Sequence, residues 1–225
     1  MLRVGDTLSM MQMFYAMMLP SGNDAAFLIA DFFGEYLYNE RYLENNDSYT
    51  QSIQMTFPQS YAGSWQFPDG VIKYFLREMN LNAVKMKMFS SNFDSPHGLV
   101  NKVNYSTAYD ICVLTTKCMQ IPLIRDIVKT QVYRTAPLSS THEHPQAYVW
   151  ENTNKLLGAV HGFIGCKTGI TDVAGPCFSG CFESNGEKIC VVVLNAKTLE
   201  QRWVEVPQMV EWAIKRKQHA KIYSQ

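Results

Sequence analysis

The sequence predicts a single α+β domain, and three observations lead to this fold class. Apolar residues recur at helical spacing through most of the first 130 residues. Strand-like runs follow at residues 131–135, 163–170, 177–183 and 188–195, three of them separated by glycine-containing turns. An amphipathic segment at residues 204–218 closes the chain. Helices that precede strands, with a last helix to cover the sheet, favour α+β over alternating βαβ units.

Two helices are predicted at the start of the chain. In the first, apolar residues from Leu8 to Met18 recur at helical spacing, Asp6 or Thr7 is a suitable cap, and Pro20 stops the run. A tight polar connection follows at residues 21–24. Apolar residues at positions 25–36 then mark a second helix. Two helices are therefore expected to meet at a polar loop.

The middle of the chain is less regular. Residues 39–63 are rich in Asn, Gln, Ser and Tyr, which predicts a long loop or an irregular helix. Residues 69–80 have the pattern of an amphipathic helix, and Ser106 or Thr107 is expected to cap another that runs through Cys112 to Cys118. We expect one domain over residues 1–225, helical at about 6–130, with an antiparallel sheet and the closing helix at about 131–218.

Composition excludes several classes of function. Twenty basic and twenty acidic residues cancel, and no five like charges adjoin, so no nucleic-acid partner is expected. No apolar stretch approaches the roughly 20 residues of a membrane-spanning helix. The first residues lack the charged region, apolar core and cleavage site of a secretory signal, so we expect no signal peptide in this chain.

The cysteines and histidines give weak signals. The six cysteines are irregularly spaced and form no Cys-x-x-Cys pair, which favours buried structural thiols over a disulfide scaffold. Zinc is a weaker alternative, either at His142-Glu143-His144 or at cysteines on neighbouring strands. The cysteines of the zinc alternative are Cys166, Cys177, Cys181 and Cys190. We expect no metal and no cofactor.

Two short motifs are candidates for chemistry. Ser21-Gly22-Asn23 lies between the first two helices, where Ser and Asn are also ordinary capping residues. Lys167-Thr168-Gly169 lies on a predicted strand. A glycine at a strand edge lets an extended peptide lie against the backbone, while the lysine and threonine would offer a charge and a hydroxyl to an anionic end. Ser-x-x-Lys, a Ser-x-Asn type element and Lys-Thr-Gly form the signature of penicillin-binding proteins and class A β-lactamases, and the last two stand here in that order.

The flanks of these motifs resemble the serine D-alanyl-D-alanine carboxypeptidases, a penicillin-binding family with a β-lactamase/transpeptidase-like fold. The resemblance continues through Arg202 into the closing helix and covers nearly the whole chain outside residues 39–63. It implies a helical subdomain, an antiparallel sheet and a closing C-terminal helix. The segments that carry it are residues 19–26, 93–99, 152–158, 167–175 and 191–198.

The resemblance implies a mechanism and a set of catalytic residues. A serine attacks the penultimate D-Ala carbonyl of a peptide that ends in D-Ala-D-Ala, and water hydrolyses the resulting acyl-enzyme. β-Lactams mimic this substrate and are covalent inhibitors of the complete form. Ser21 is implied to belong to a proton-relay network, Asn23 to bind the substrate amide, and Lys167 to raise the local positive potential.

The substrate-binding residues implied by the resemblance lie on the second motif and the closing helix. Thr168 would bind the substrate carboxylate, and Gly169 would leave room for the peptide. The backbone N–H of Ile170 would be one of two oxyanion-hole donors. Arg202 matches an arginine near the substrate carboxylate, with a surface ion pair as the alternative interpretation.

One element of the family's signature is absent from this sequence. None of the 225 residues forms a Ser-x-x-Lys pair. We therefore expect that the family's early strands and nucleophile helix belong to a segment missing at the N-terminus, and that this chain associates or dissolves poorly by itself. A catalytically inactive substrate-binding relic, and a β-lactamase or transpeptidase of the same fold, remain alternatives. Family members are generally exported, which implies an extracytoplasmic location.

Overall fold

The computed structural model describes residues 1–42, 70–99 and 103–223, and it has the helix-then-sheet order of an α+β fold. The helices are α1 (Met10–Met18), α2 (Asn23–Tyr42), α3 (Ile72–Lys85), α4 (Ala108–Cys118), α5 (Pro122–Lys129) and α6 (Gln201–Tyr223). The strands are β1 (Asp6–Thr7), β2 (Val132–Thr135), β3 (Ser139–Ser140), β4 (Tyr148–Glu151), β5 (Phe163–Thr171), β6 (Gly175–Ser184) and β7 (Glu187–Val193).

Helix α1 begins with a capping box at Ser9, so the prediction that Asp6 or Thr7 caps it is wrong. Ser9 Oγ accepts a hydrogen bond from the Gln12 backbone N–H at 3.2 Å, and Gln12 Oε1 accepts one from the Ser9 N–H at 2.7 Å. This reciprocal pair satisfies two N–H groups that the first turn leaves open. Asp6 and Thr7 instead form β1, which pairs with β3.

Helix α2 is longer than its apolar pattern predicts, because it continues from Asn23 to Tyr42. The rest of the loop or irregular helix expected at residues 39–63 lies outside the described residues. Gly34 lies where α2 meets the chain before α3, since a Cβ at this position would stand 2.4 Å from the carbonyl oxygen of Val71. Helix α3 starts near its predicted position and ends at Lys85.

The prediction that Thr107 caps a helix ending at Cys118 is confirmed. Thr107 Oγ1 accepts a hydrogen bond from the Asp110 N–H at 3.1 Å at the start of α4. The following helix, α5, has no counterpart among the predicted elements, and it begins with Pro122, whose missing N–H costs nothing in a first turn.

A strand forms at Val132–Thr135, within the predicted residues 131–135, but it does not join the main sheet, which corrects that part of the prediction. This strand, β2, pairs with β4 in a separate antiparallel pair in which Tyr133 faces Trp150. The ring of Tyr133 stacks on Tyr15 of α1 with centroids 3.8 Å apart, and lies 6.0 Å from the ring of Trp150. Aromatic stacking thus holds this pair against α1.

The main sheet is antiparallel, with strand order β5-β6-β7. A two-residue turn joins β6 to β7, and its residues Asn185 and Gly186 have φ values of 50° and 77°, as a type I′ turn requires. Helix α6 covers one face through a core that includes Phe178, Val191 and Val206. Helices α4 and α5 pack near the other face, where Val128 contacts cysteine side chains. No helix in the described ranges is long and apolar enough to cross a membrane.

An ion pair between α5 and the sheet should make the free energy of unfolding depend on pH in the acid range. Arg125 Nη1 donates to Glu183 Oε1 at 2.8 Å, Nη2 contacts Oε2, and this hydrogen bonding lowers the pKa of Glu183 from 4.5 to about 2. Since the folded pKa is the lower one, the pair stabilises the fold above pH 4.5 and that contribution is lost as the pH falls toward 2. For a partly exposed pair we expect about 1 kcal/mol or less.

Urea unfolding of the wild type and of Glu183→Gln at a series of pH values measures this contribution. We expect the two to differ most near neutral pH and to converge at low pH. Glu151→Gln, at an exposed position on β4, is the matched control and should follow the wild-type profile. Parallel pH profiles for wild type and Glu183→Gln would contradict the prediction.

Candidate active site

The turn between α1 and α2 carries the first motif in a constrained conformation. Ser21 has φ 61°, in the left-handed region that residues other than glycine seldom adopt. Gly22 donates its N–H to the Ala16 carbonyl at 3.1 Å, and a Cβ on Gly22 would stand 2.5 Å from that oxygen. Only glycine therefore fits at position 22, and this close approach fixes where the Ser21 side chain lies.

Ser21 meets Lys167 across a separation of 146 residues. Lys167 Nζ donates to Ser21 Oγ at 2.5 Å and to the backbone carbonyl of Thr168 at 2.6 Å. The helical part of the chain and strand β5 thus supply one polar pair. The structure brings together one residue from each of the two motifs singled out in the sequence.

The ammonium of Lys167 lies in a site that favours its neutral form. Burial, and secondarily the positive charge of Arg202, lower the pKa of Lys167 from 10.5 to about 8. Near neutral pH this lysine therefore still carries a charge, but it releases a proton far more easily than a lysine in water. An anionic ligand beside Lys167 would offset both unfavourable effects.

Thr168 is buried, and its hydroxyl has a partner that sequence reasoning missed. Thr168 Oγ1 lies 2.6 Å from Thr153 Oγ1, in the loop after β4. The Thr153 N–H in turn donates to the carbonyl of Leu19, at the end of α1, at 3.2 Å. Thr153 lies in a segment that carries the family resemblance, but no local pattern predicts a contact between residues so far apart in sequence.

Gly169 and Ile170 lie at an edge of the main sheet. In the described part of the chain, β6 is the only strand that pairs with β5, so β5 has one side open to a further strand. A Cβ on Gly169 would meet nothing closer than the Cys177 side chain at 3.9 Å. The Ile170 side chain is 57% exposed. Both positions are open enough for an extended chain to lie alongside.

Arg202 is buried, which overturns the alternative of a surface ion pair. Its side chain is 8% exposed, and Nη1 donates to the carbonyls of Gly169 and Cys177 at 3.3 and 2.9 Å. Its guanidinium also lies 4.5 Å from the centre of the Trp203 ring. Burial lowers the pKa of Arg202. The arginine thus braces the β5–β6 pair at the level of the Lys-Thr-Gly motif.

Two further features adjoin Ser21 and Lys167, namely Asn23 and a second pair of hydroxyl groups. Asn23 is the first residue of α2, two positions from Ser21, with its side chain exposed. Ser179 of β6 stands opposite Lys167 in the strand register, and its Oγ lies 2.5 Å from Thr115 Oγ1 of α4. Ser179 was not predicted as part of the site, because its pairing with Lys167 follows from strand register alone.

A cavity of about 700 Å³ opens beside Lys167, between the helices and the sheet. Its walls are almost entirely apolar and include Phe14 of α1, Leu114 of α4 and Ile124 of α5. Among the residues that the structure describes, no group of three or more His, Cys, Asp or Glu side chains is placed to hold a metal ion. The polar groups of the candidate site therefore border an apolar hollow.

Comparison with known proteins identifies the family of this chain. A family model described as D-alanyl-D-alanine carboxypeptidase matches residues 65–198, more than half of the chain. A D-alanyl-D-alanine carboxypeptidase of Streptomyces sp. (strain K15) is 28% identical over 209 residues, which make up 93% of this chain and 62% of that relative. The chain thus spans less than two thirds of the length of this curated relative.

Solved structures show the same fold. The structure of the Streptomyces K15 DD-transpeptidase has a TM-score of 0.76 and 27% identity, and the match covers 95% of this chain and 71% of the other. Penicillin-binding protein D2 of Listeria monocytogenes, in its ampicillin-bound form, has a TM-score of 0.65 and 26% identity, with coverage of 91% and 67%. The predicted β-lactamase/transpeptidase-like fold is confirmed, and the chain belongs to the D-alanyl-D-alanine carboxypeptidase family.

Proposed function

We propose that this chain forms the substrate-binding and proton-transfer part of a serine D-alanyl-D-alanine carboxypeptidase, which removes the terminal D-alanine of peptidoglycan-type peptides. The observation that carries this proposal is the 2.5 Å contact between Lys167 Nζ and Ser21 Oγ. It joins the Ser-Gly-Asn turn to the Lys-Thr-Gly strand, and so brings the two motifs of the signature together.

The proposed substrate pose follows from the open side of β5. A peptide added as a further strand would run beside Gly169 and Ile170, with its backbone paired to theirs. Its terminal carboxylate would then meet the Thr168 hydroxyl and the positive charge of Lys167. Arg202, held behind the strand by the carbonyls of Gly169 and Cys177, adds a second positive charge to the same region. One buried and one half-buried cation favour an anionic end on the substrate.

The proposed chemistry is an acyl transfer in two steps. A serine hydroxyl attacks the penultimate D-Ala carbonyl, an ester forms, the C–N bond to the terminal residue breaks, and the serine's proton passes to the leaving amine. Ser21 and Lys167 are proposed to relay that proton, and the Ile170 N–H is proposed to stabilise the oxyanion. Asn23 is proposed to bind the substrate amide. Water then cleaves the ester and restores the serine.

The attacking serine has to come from a Ser-x-x-Lys pair, which none of the 225 residues forms. The cavity beside Lys167 supports a location for it, because an amphipathic helix laid there would bury its apolar face and present its polar residues to Ser21 and Lys167. The lack of a Ser-x-x-Lys pair among the 225 residues also favours a second candidate function, in which the protein binds the peptide without cleaving it. Binding and covalent labelling separate the two functions.

One prediction of the proposed function concerns ligand binding by this chain. We expect it to bind an N-acylated peptide ending in D-Ala-D-Ala at least about tenfold more tightly than the L-Ala-L-Ala diastereomer, measured by isothermal titration calorimetry. Thr168→Val should weaken binding by about tenfold or more, since a hydrogen bond to a charged group contributes roughly 1.5–3 kcal/mol. Equal affinity for the two peptides would overturn the proposed function.

The matched control is Thr171→Val on the same strand, which should leave the affinity unchanged. A fluorescent penicillin incubated with this chain should leave no adduct after denaturation, because the chain has no Ser-x-x-Lys serine. A covalent adduct would mean that another residue of the chain acts as the nucleophile, and mass spectrometry of the labelled peptide would locate it.

The second prediction concerns the titration of Lys167. Its pKa of about 8 means that the positive charge is lost as the pH rises through that value, so the affinity for the D-Ala-D-Ala peptide should fall about tenfold between neutral pH and pH well above 8. The depressed pKa has the opposite effect on folding, because the unfolded chain binds more protons between about 8 and 10.5 and stability therefore rises with pH there.

Titrations over this pH range test the assignment. Lys167→Met should bind weakly at every pH, with a flat profile, and Lys167→Arg should keep its charge above pH 8. Unfolding measured at the same pH values serves as the control. A wild-type profile that is as flat as that of Lys167→Met would show that the charge of Lys167 does not contribute to binding.

The third prediction concerns Thr153 as a positioning residue. Thr153→Val keeps the shape of the side chain but leaves the Thr168 hydroxyl without its 2.6 Å partner, so we expect peptide affinity to fall about fivefold. Thr153→Ser restores a hydroxyl and should restore affinity to near the wild-type value. Equal loss in both variants, or a loss that tracks thermal stability, would assign Thr153 a purely structural role.

A further inference from the structure

Four of the six cysteines gather in one place, on the main sheet and the neighbouring helix α4. Cys181 of β6 and Cys190 of β7 have their sulfur atoms 3.0 Å apart. Cys166 of β5 interacts with the thiol of Cys181, and Cys112 of α4 interacts with that of Cys190. The thiols therefore form a row that crosses the three strands of the sheet and ends on a helix.

We propose that Cys181 and Cys190 are a modification site, at which a cross-strand disulfide forms when the chain meets a low-molecular-weight disulfide such as oxidised glutathione. The bond would fasten β6 to β7 in the sheet whose strand β5 carries Lys167. This pairing is independent of the proposed peptidase chemistry, since neither cysteine belongs to the candidate site.

The strand register places the two cysteines correctly for such a bond. Cys181 and Cys190 are direct partners in the β6–β7 pair. The type I′ turn at Asn185-Gly186 makes the flanking pair at residues 184 and 187 a hydrogen-bonded one, and pairs alternate from there, so residues 181 and 190 form a non-hydrogen-bonded pair. Such pairs have Cα atoms about 4.5 Å apart, inside the roughly 4.4–6.8 Å that disulfides need.

The other cysteines are less suitable partners. Cys166 pairs in register with Gly180, so it reaches Cys181 only diagonally between strands. Cys112 approaches from a helix rather than from a neighbouring strand. A shared metal ion is not an alternative for the described residues, since no group of three or more potential ligands is placed to bind one. The direct cross-strand pair is therefore the favoured one.

The Cys181–Cys190 bond would form by two successive thiol–disulfide exchanges. One cysteine thiolate attacks oxidised glutathione, which forms a mixed disulfide and releases one glutathione. The second cysteine then displaces the remaining glutathione. In sum, two cysteine thiols are oxidised, one glutathione disulfide is reduced to two thiols, and the two protons move from cysteine to glutathione.

The buried setting decides when this reaction can occur. Hydrogen bonding with Cys166 raises the pKa of Cys181 to about 12, and the contact with Cys181 together with burial also raises the pKa of Cys190. Thiolates are therefore scarce in the folded chain, and exchange there should be slow. We expect the bond to form during folding in an oxidising medium, while both thiols are still exposed, and to persist afterwards.

Tryptic mapping tests this proposal on the full chain. The reduced, unfolded chain is refolded in mixtures of reduced and oxidised glutathione, the remaining thiols are alkylated, and the digest is analysed without reduction by mass spectrometry. Cleavage after Lys167, Lys188 and Lys197 places Cys181 in peptide 168–188 and Cys190 in peptide 189–197. The expected product is these two peptides joined through Cys181, lighter by two hydrogens than their sum, in more than half of the chains.

The controls address the remaining cysteines. Peptide 168–188 also contains Cys177, so a Cys177→Ser chain should give the same linked product, whereas a Cys190→Ser chain should not. Full alkylation of Cys181 and Cys190 under conditions that oxidise an exposed dithiol peptide would overturn the proposal. A dominant link from Cys166 or Cys112 would overturn it as well. Because the readout is a covalent mass, it does not depend on peptide binding or cleavage.

Discussion

The hydrogen bond from Lys167 to Ser21 is the interaction on which the candidate site depends, because it is made by residues from two separately organised parts of the molecule. Ser21 is held by the α1–α2 turn, whose geometry is fixed by the approach of Gly22 to the Ala16 carbonyl. Lys167 is held by β5, whose position follows from its pairing with β6. Any shift between the helices and the sheet would therefore appear first as a change in this 2.5 Å distance.

Several contacts keep the two parts in register around that pair. The loop after β4 carries Thr153, which reaches the Leu19 carbonyl on the helical side and the Thr168 hydroxyl on the sheet side. Thr115 of α4 meets Ser179 of β6. These hydrogen bonds join small side chains or backbone groups, which lose little conformational entropy on ordering. A rigid polar frame of this kind suits a site that has to present a lysine with a lowered pKa at a fixed point.

The sequence predicted the elements whose signals are local. Helical periodicity, the Thr107 cap and the strand-like runs of the main sheet with their glycine-containing turns each depend on neighbours a few residues away, and each was found near its expected position. The cap of α1 was misplaced because Asp6 and Ser9 are equally suitable by residue type, and only the partner Gln12 decides between them. Strand β2 was assigned to the wrong sheet because its attachment depends on the stacking of Tyr133 against Tyr15.

The same distinction applies to the site. Ser21 and Lys167 stand out because motif order and family resemblance mark them, and the structure brings them together. The contacts of Thr153 and Ser179 are not predicted by any motif, since they join residues 15 and 64 positions apart in the chain and exist only once the fold has formed. For Arg202, burial overturns the alternative of a surface ion pair, and its two carbonyl partners on β5 and β6 could not be predicted from the sequence.

The absence of a Ser-x-x-Lys pair and the apolar cavity can be understood together. A site with a half-buried lysine, a second cation and an open strand edge suits the anionic peptide of the proposed function, but nothing in the 225 residues supplies the attacking hydroxyl of the family signature. The hollow beside Lys167 is lined by side chains that would gain about 25 cal/mol for each Å² of apolar area removed from water. A helix with one apolar face satisfies both requirements, because the burial that fills the hollow also sets a polar residue at a fixed distance from Ser21. The packing that stabilises the core and the geometry needed for the proposed catalysis would then depend on the same surface.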